Sequence, residues 1–360
     1  MRAEQGPVPG ALGSLAAALF GAVVTRRNAR FNAGKGVIHP PIPVISVGNL
    51  SVGGVGKTPM VQRLARTLQN AGHRPAVLLR GYGARAGGVS DEAEEHRAAL
   101  PGVRIVVNPD RVSAVRALAT LEPGARPTCV ILDDGFQHRR LGRALDLVLI
   151  DATRSPWRDR LLPAGWLREP PASLARAHAV VLTHADRAEP AGLAALRAHI
   201  TAAHGKPPVA LTRHTWESVR VESRAHPGEN NEERSISTED PAWLGARRVG
   251  VACAIGEPEQ FLAMVRGQGA EILATHIRRD HAGFGARPIA ALASRIDTSR
   301  GDVILTTGKD RRRLLRAIPA GYSGLIAYPV LSIGVIEGAA ELDRVVVAAA
   351  DADTTDLGTP

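Results

Sequence analysis

A short β-branched run, Val44-Ile45-Ser46-Val47, leads into Ser51-Val52-Gly53-Gly54-Val55-Gly56-Lys57-Thr58, and then into Pro59 to Ala71, where apolar residues recur at helical spacing. Strand, glycine-rich turn and amphipathic helix in this order leave the chain little choice. They make a βα unit in which successive backbone N–H groups and a helix N-terminus converge on one point, a cradle for phosphate. Glycines let the backbone come close, Lys57 neutralises β/γ charge, and the Thr58 hydroxyl can ligate Mg²⁺. The general pattern is G-x-x-x-x-G-K-[ST], and Ser51 stands where its first glycine belongs.

Further along, short apolar runs alternate with helical stretches. Ala76 to Leu79, Arg104 to Val107, Val130 to Leu132, Leu145 to Ile150 and Val180 to Thr183 read as strands, with a helix from about Arg111 to Leu121. This alternation predicts an α/β fold, a P-loop NTPase-like and mostly parallel sheet with helices on both faces, over residues 41–213. Composition turns polar over 214–245, which reads as a linker with one hairpin (Thr215 to Glu222) and no buried core. A smaller C-terminal α/β domain is expected over 246–350, ending in a helix near Ala339 to Ala350, and residues 351–360 read as a disordered tail.

Residues 1–40 hold the one stretch that suggests a membrane. Ala11 to Val24 is apolar for 14 residues, short of the roughly 20 a spanning helix needs. Its positive charge follows the apolar stretch, in Arg26, Arg27 and Arg30, whereas a secretory signal carries charge before it. A helix lying in the interface with arginines reaching lipid phosphates fits this order, and so does a helix packed on the protein core.

The formal charge of +10 favours anionic partners. No basic block interleaved with aromatics and no zinc-finger spacing occurs, which argues against nucleic acid. Of the 45 basic residues four are lysines, Lys35, Lys57, Lys206 and Lys309, so the one in the glycine-rich turn stands out. Cys129 and Cys253 lie far apart in apolar runs and read as buried thiols of a reducing compartment.

Asp133-Asp134 closes an apolar strand, where phosphate-loop enzymes place a carboxylate near the metal, although an acidic pair there also serves as a turn or cap. Gly135-Phe136-Gln137-His138-Arg139-Arg140 follows it. Asp91-Glu92 ends a glycine-rich loop in a position suited to a general base, and Arg168-Glu169 sits in a proline-bounded loop suited to a metal or a sugar. Both also read as ordinary solvated carboxylates. In Arg279-Asp280-His281 an imidazole lies beside a carboxylate that can tune it.

Three runs carry a resemblance across nearly the whole chain: Val47-Gly48-Asn49-Leu50 with the glycine turn through Pro59, Leu132 to His138, and Leu162-Pro163-Ala164-Gly165-Trp166-Leu167-Arg168-Glu169-Pro170. Together they resemble the tetraacyldisaccharide 4′-kinases, the lipid A kinases of Gram-negative bacteria, which also use serine at the position of Ser51. The resemblance implies ATP and Mg²⁺ as cofactors, an acylated disaccharide 1-phosphate as acceptor, and a place on the cytoplasmic face of the inner membrane, held there by the N-terminal helix. It implies that Ser51 through Thr58 bind nucleotide and that Lys57 is catalytic. By the same resemblance Asp91 is the base for the sugar 4′-hydroxyl, tuned by His281. Thr58, Asp134 and Glu169 then serve Mg²⁺, and Arg111, Gln137, His138 and Arg168 position substrate. Two departures stand out: Ala93 follows Asp91-Glu92 where the family has proline, and Gly308 replaces a glutamate.

Two rival readings work by binding. A partitioning-type ATPase carries a second lysine in its loop, where this chain has Val52. A GTPase switch reads guanine with T-K-x-D, and Thr183-His184-Ala185-Asp186 puts His184 in the place of that lysine.

Overall fold

The β-branched run becomes a fully buried strand, β1 (Val44–Asn49), and the apolar positions that follow become one face of α2 (Lys57–Asn70), with Met60, Leu64 and Leu68 against the sheet. The computed structural model describes residues 6–81, 91–223, 235–279, 282–299, 301–319 and 321–352. They divide into two compact units, Met1–His214 with Ile333–Pro360, and Thr215–Ser332.

In the first unit the N-terminal helix α1 (Gly10–Asn32) precedes β1. After α2 come β2 (Pro75–Leu79), α3 (Asp91–Ala99), β3 (Arg104–Val107), α4 (Arg111–Ala119), β4 (Cys129–Asp133), β5 (Leu145–Asp151), β6 (Ala179–Thr183), α5 (Pro190–His204) and the start of β7 (Ala210–Ser223). Strand order is β7-β6-β5-β1-β4-β2-β3, and every pairing is parallel. The central strands are buried along their whole length, as parallel strands covered on both faces must be. All strand C-termini therefore lie along one edge of the sheet, where open α/β folds bind ligands.

The second unit holds the paired ends of β7 and β8 (Ser235–Glu239), then β9 (Arg248–Cys253), α6 (Pro258–Gly267), β10 (Glu271–Ile277), α7 (Ala286–Thr298), β11 (Val303–Thr306), α8 (Arg311–Ala317) and most of β12 (Leu325–Glu337). Its parallel strands run in the order β10-β9-β11-β12, and β7 pairs antiparallel with β8. The chain returns to the first unit within β12 and ends there in α9 (Ala339–Asp351).

The polar segment 214–245 is thus not a coreless linker. Trp216, Val219, Val221 and Leu244 are buried in the second unit's core with Phe261 and Leu262. Trp216, Val219 and Val221 of β7 stand singly among polar neighbours, so average composition misses them. Nor does the C-terminal domain run to residue 350. Leu342 and Val346, four residues apart on α9, join the first unit's core with α2, and Asp343 accepts from Arg63 at 2.8 Å. Residues 353–360, read as a tail, lie outside the described residues.

Candidate active site

The turn after β1 is shaped by two glycines at positive φ, Gly53 (128°) and Gly56 (83°). Gly56 is the residue from which α2 starts, in the left-handed region, with no side chain capping the helix and no acidic residue in its first turn. A Cβ on Gly53 or on Gly54 would meet nothing within 4 Å. The loop is an open cradle of backbone donors at a positive helix end, the arrangement that takes phosphate.

Three side chains converge below it. Lys57 Nζ lies 3.6 Å from Asp134 Oδ1 and donates to Asn49 Oδ1 at 3.3 Å. Asn49 is fully buried and its Nδ2 donates to the Ser51 carbonyl at 2.7 Å, tying the strand end to the loop. Asp134 sits at φ 53°, a turn that brings its carboxylate back beside Lys57. Burial works hardest against its charge, but Lys57, Arg168 and Arg111 together outweigh it and hold the carboxyl below its usual range. Gly48 makes this closeness possible, since a Cβ there would meet the Phe136 backbone nitrogen at 2.7 Å.

The proline-bounded loop forms the wall of the cradle. Ser51 bridges Leu167, Val52 N donates to the Trp166 carbonyl at 2.8 Å, and Arg168 N donates to Leu50 at 2.7 Å. Arg168 Nη1 then reaches both oxygens of Asp134, at 2.9 and 2.8 Å. Gln137 donates to the Asn49 carbonyl at 2.9 Å. The three separate motifs are one hydrogen-bonded assembly.

Two expectations change. Glu169, expected to ligate metal, is wholly buried; Arg176 takes both its oxygens at 2.8 and 2.9 Å, and Asn28 of α1 donates to it at 2.6 Å. It binds the N-terminal helix to the loop, and its lone pairs are engaged there. Arg111, expected to position substrate, is buried and donates to the carbonyls of Asp133 at 2.7 Å and Asp134 at 3.0 Å. It holds the acidic turn in shape. Thr58, on the first turn of α2, and Asp134 remain as hard oxygen donors suited to Mg²⁺. Among the described residues no group of three or more His, Cys, Asp or Glu is gathered for a metal, so a divalent cation here would draw its other ligands from phosphate and water.

Asp91 opens α3 and its side chain lies outside the described residues, as does His281. His138 is brought beside the acidic turn. Burial first, then Arg111, Arg143 and Arg140, push its pKa down to about 4. Its Nε2 is buried with no hydrogen-bond partner among the described residues.

Sequence reasoning missed two buried clusters. His96 Nε2 meets Asp133 Oδ2 at 3.0 Å, so the first acid of the pair is committed to α3. His184 Nδ1 meets Asp151 at 3.1 Å, and its Nε2 meets His214 Nδ1 at 3.3 Å. The imidazole in the place of a guanine-stacking lysine is only 1% exposed and turned into this cluster, which removes the GTPase-like reading of that motif. Its departure from lysine was the one visible signal.

On the N-terminal helix, Val24 and Ala17 face inward, Ser14 accepts from Arg160 at 2.9 Å, and Arg27 pairs with Glu169 at 3.4 Å. Leu12, Leu15, Leu19 and Val23 face outward, between 63% and 73% exposed. One side of this helix is packed on the protein and another is bare. No helix among the described residues is long and apolar enough to cross a membrane.

The model of the family described as Tetraacyldisaccharide-1-P 4′-kinase matches residues 11–346. A tetraacyldisaccharide 4′-kinase of Anaeromyxobacter dehalogenans (strain 2CP-1) is 35% identical, over 95% of this chain and 92% of that protein. Its namesake in Geobacter sulfurreducens is 36% identical over 85% of this chain and 84% of its own length. Among solved structures, an "apo" form of LpxK from Aquifex aeolicus in complex with ATP superposes with a TM-score of 0.64 at 27% identity, covering 92% of this chain and 96% of that one.

Proposed function

The chain belongs to the tetraacyldisaccharide 4′-kinase family, and we propose that it transfers the γ-phosphate of ATP to the 4′-hydroxyl of a tetraacyl glucosamine disaccharide 1-phosphate, the lipid A precursor. The observation that carries this reading is the open glycine cradle with Lys57, Asn49 and Asp134 gathered beneath it. The similar solved structure in complex with ATP supports the choice of nucleotide. Val52 stands where a partitioning ATPase carries its second loop lysine, which counts against that reading.

Phosphoryl transfer needs mostly positioning and neutralisation of charge. The α2 N-terminus and the loop amides bind the β- and γ-phosphates, and Lys57 shifts from Asp134 onto them. Thr58 and Asp134 would hold Mg²⁺, which supplies further neutralisation when bound. In the transfer the 4′-oxygen bonds to γ-phosphorus, the bond to the β–γ bridging oxygen breaks, and ADP leaves. Asp91 takes the hydroxyl proton, with His281 tuning it. Gln137 and Arg168 keep the acidic turn and the loop in register, and His138 lines the acceptor side. The bare leucines of α1, followed by the exposed Arg26 and Arg30, suit an interfacial helix on the cytoplasmic face of the inner membrane. Lying there, the enzyme reaches a headgroup without drawing acyl chains out of the bilayer.

The test is incubation of the full chain with γ-labelled ATP and lipid A disaccharide 1-phosphate in mixed micelles. Label at the 4′ position, dependent on Mg²⁺, is the expected product. ATP hydrolysis with no labelled lipid overturns the proposal in favour of a switch protein.

A further inference from the structure

The buried pair of His96 and Asp133 has no part in the transfer described above, yet it joins the helix that opens on Asp91 to the strand end next to Asp134. Asp133 is the last residue of β4, in register with Val47 of β1, and its carbonyl accepts from Arg111 at 2.7 Å. It is therefore fixed in the central sheet. His96 lies on α3, wholly buried, and its Nε2 is hydrogen-bonded to Asp133 Oδ2 at 3.0 Å.

Ala93, His96 and Leu100, three and four residues apart, form one inward line on α3 and just beyond its end. Ala93 and Leu100 pack in the apolar cluster that holds Leu64 and Leu68 of α2 and Leu79 of β2. Such contacts press a helix onto a sheet but are non-directional, and do little to fix how far it slides or turns. A hydrogen bond sets both distance and angle. This one pins the middle of α3 to the residue before Asp134. Stability alone gives little reason for it. His96 Nδ1 is buried with no hydrogen-bond partner among the described residues, and a buried polar atom left unpaired costs free energy. A leucine there would continue the apolar line without leaving a ring nitrogen unpaired.

We propose that His96 is a positioning residue for the transfer: its bond to Asp133 sets where α3, and with it Asp91, stands relative to the acidic turn. This rests on the reading of Asp91 as the base. Asp91 is the first residue of the same helix. A base must come within about 3 Å of the proton it takes, and a misplacement of about 1 Å can cost on the order of 10²-fold in rate.

The test is steady-state kinetics of the full chain, with kcat expressed per folded enzyme as measured by urea unfolding. His96→Leu should lower kcat by about 10–10²-fold, while KM for ATP stays within about twofold and the Mg²⁺ titration does not move. His96→Gln, whose amide nitrogen can stand where Nε2 stands, should recover most of the loss. His96→Asn, an amide too short to reach Asp133, should not. In the Asp91→Asn background, His96→Leu should lower kcat little further, because both act on one step. An unchanged kcat in His96→Leu, or the full loss repeated on top of Asp91→Asn, overturns the proposal. So does a shifted Mg²⁺ titration, which would place the effect at the acidic turn and not at α3. If His96→Leu does not fold, the contrast between the glutamine and asparagine variants carries the decision. A low kcat in Asp91→Asn beside a normal one in His96→Leu leaves the base standing and removes His96 alone. Near-normal turnover of Asp91→Asn removes the base, and this proposal with it.

Discussion

Lys57 Nζ stands 3.6 Å from Asp134 Oδ1, on a carboxylate that also accepts Arg168 on both oxygens. Two cations therefore share one anion at the floor of the phosphate cradle. Such an arrangement stores positive charge where phosphate arrives and keeps the acid ionised for a metal. Asp134→Asn removes the anion and keeps the shape. The Mg²⁺ concentration for half-maximal phosphoryl transfer should rise about tenfold or more, since a neutral amide is a poor ligand for this ion. An unchanged Mg²⁺ titration would remove Asp134 from the metal site.

Glu169 gives the opposite expectation. Its carboxylate is wholly buried and joined to Arg176, Asn28 and Arg27. Glu169→Gln leaves the guanidinium of Arg176 buried without its counter-charge, a loss of about 3–5 kcal/mol. Urea unfolding should show that loss, while the Mg²⁺ titration of the folded enzyme stays where it was. A shifted titration at unchanged stability would return Glu169 to the metal.

Asp91 tests the chemistry itself. Asp91→Asn should lower kcat by roughly 10²–10⁴-fold with little change in ATP affinity, because a general base acts on the acceptor and not on the nucleotide. Near-normal turnover in a labelled-ATP assay would exclude it as the base.

Most of the first unit's sheet was legible because its central strands are largely apolar runs, the start of β7 excepted, and the cradle because its glycines and lysine have one obvious use. What sequence hid is what depends on distance along the chain. Glu169 and Asn28 are 141 positions apart, yet their contact decides whether the carboxylate meets a metal or a helix. Asp133 and Asp134 look equivalent, and only the positive φ of Asp134 and the approach of His96 separate them. The polar segment after residue 214 failed for another reason: a few apolar side chains set among polar ones, Trp216, Val219 and Val221, are enough to join a core.

The outward leucines of α1 can be tested without disturbing its docking. Removing residues 1–30 would also take Arg27 and Asn28 away from Glu169, confounding membrane binding with stability. Leu15→Ser with Leu19→Ser changes two exposed side chains only. Losing two leucines from an interfacial face costs on the order of 3–5 kcal/mol of partitioning, so co-sedimentation with anionic vesicles should largely disappear. The unfolding midpoint should not move. Undiminished sedimentation would exclude this face as the membrane contact.

His138 makes a prediction about pH. Burial, then Arg111, Arg143 and Arg140, take its pKa from an ordinary 6.5 to about 4, against a small opposing pull from Asp110. Between those two values the unfolded chain binds a proton that the folded chain refuses. Stability contributed at this site is therefore fully present above about pH 6.5 and declines as pH falls toward 4. His138→Gln cannot titrate and should lose that part of the slope. Comparing urea unfolding of the two proteins at neutral pH and near pH 4.5, the variant should gain stability relative to the parent on acidification. Parallel curves would mean that His138 takes up its proton as readily in the folded protein as outside it, and that the three arginines do not act on it as their positions imply.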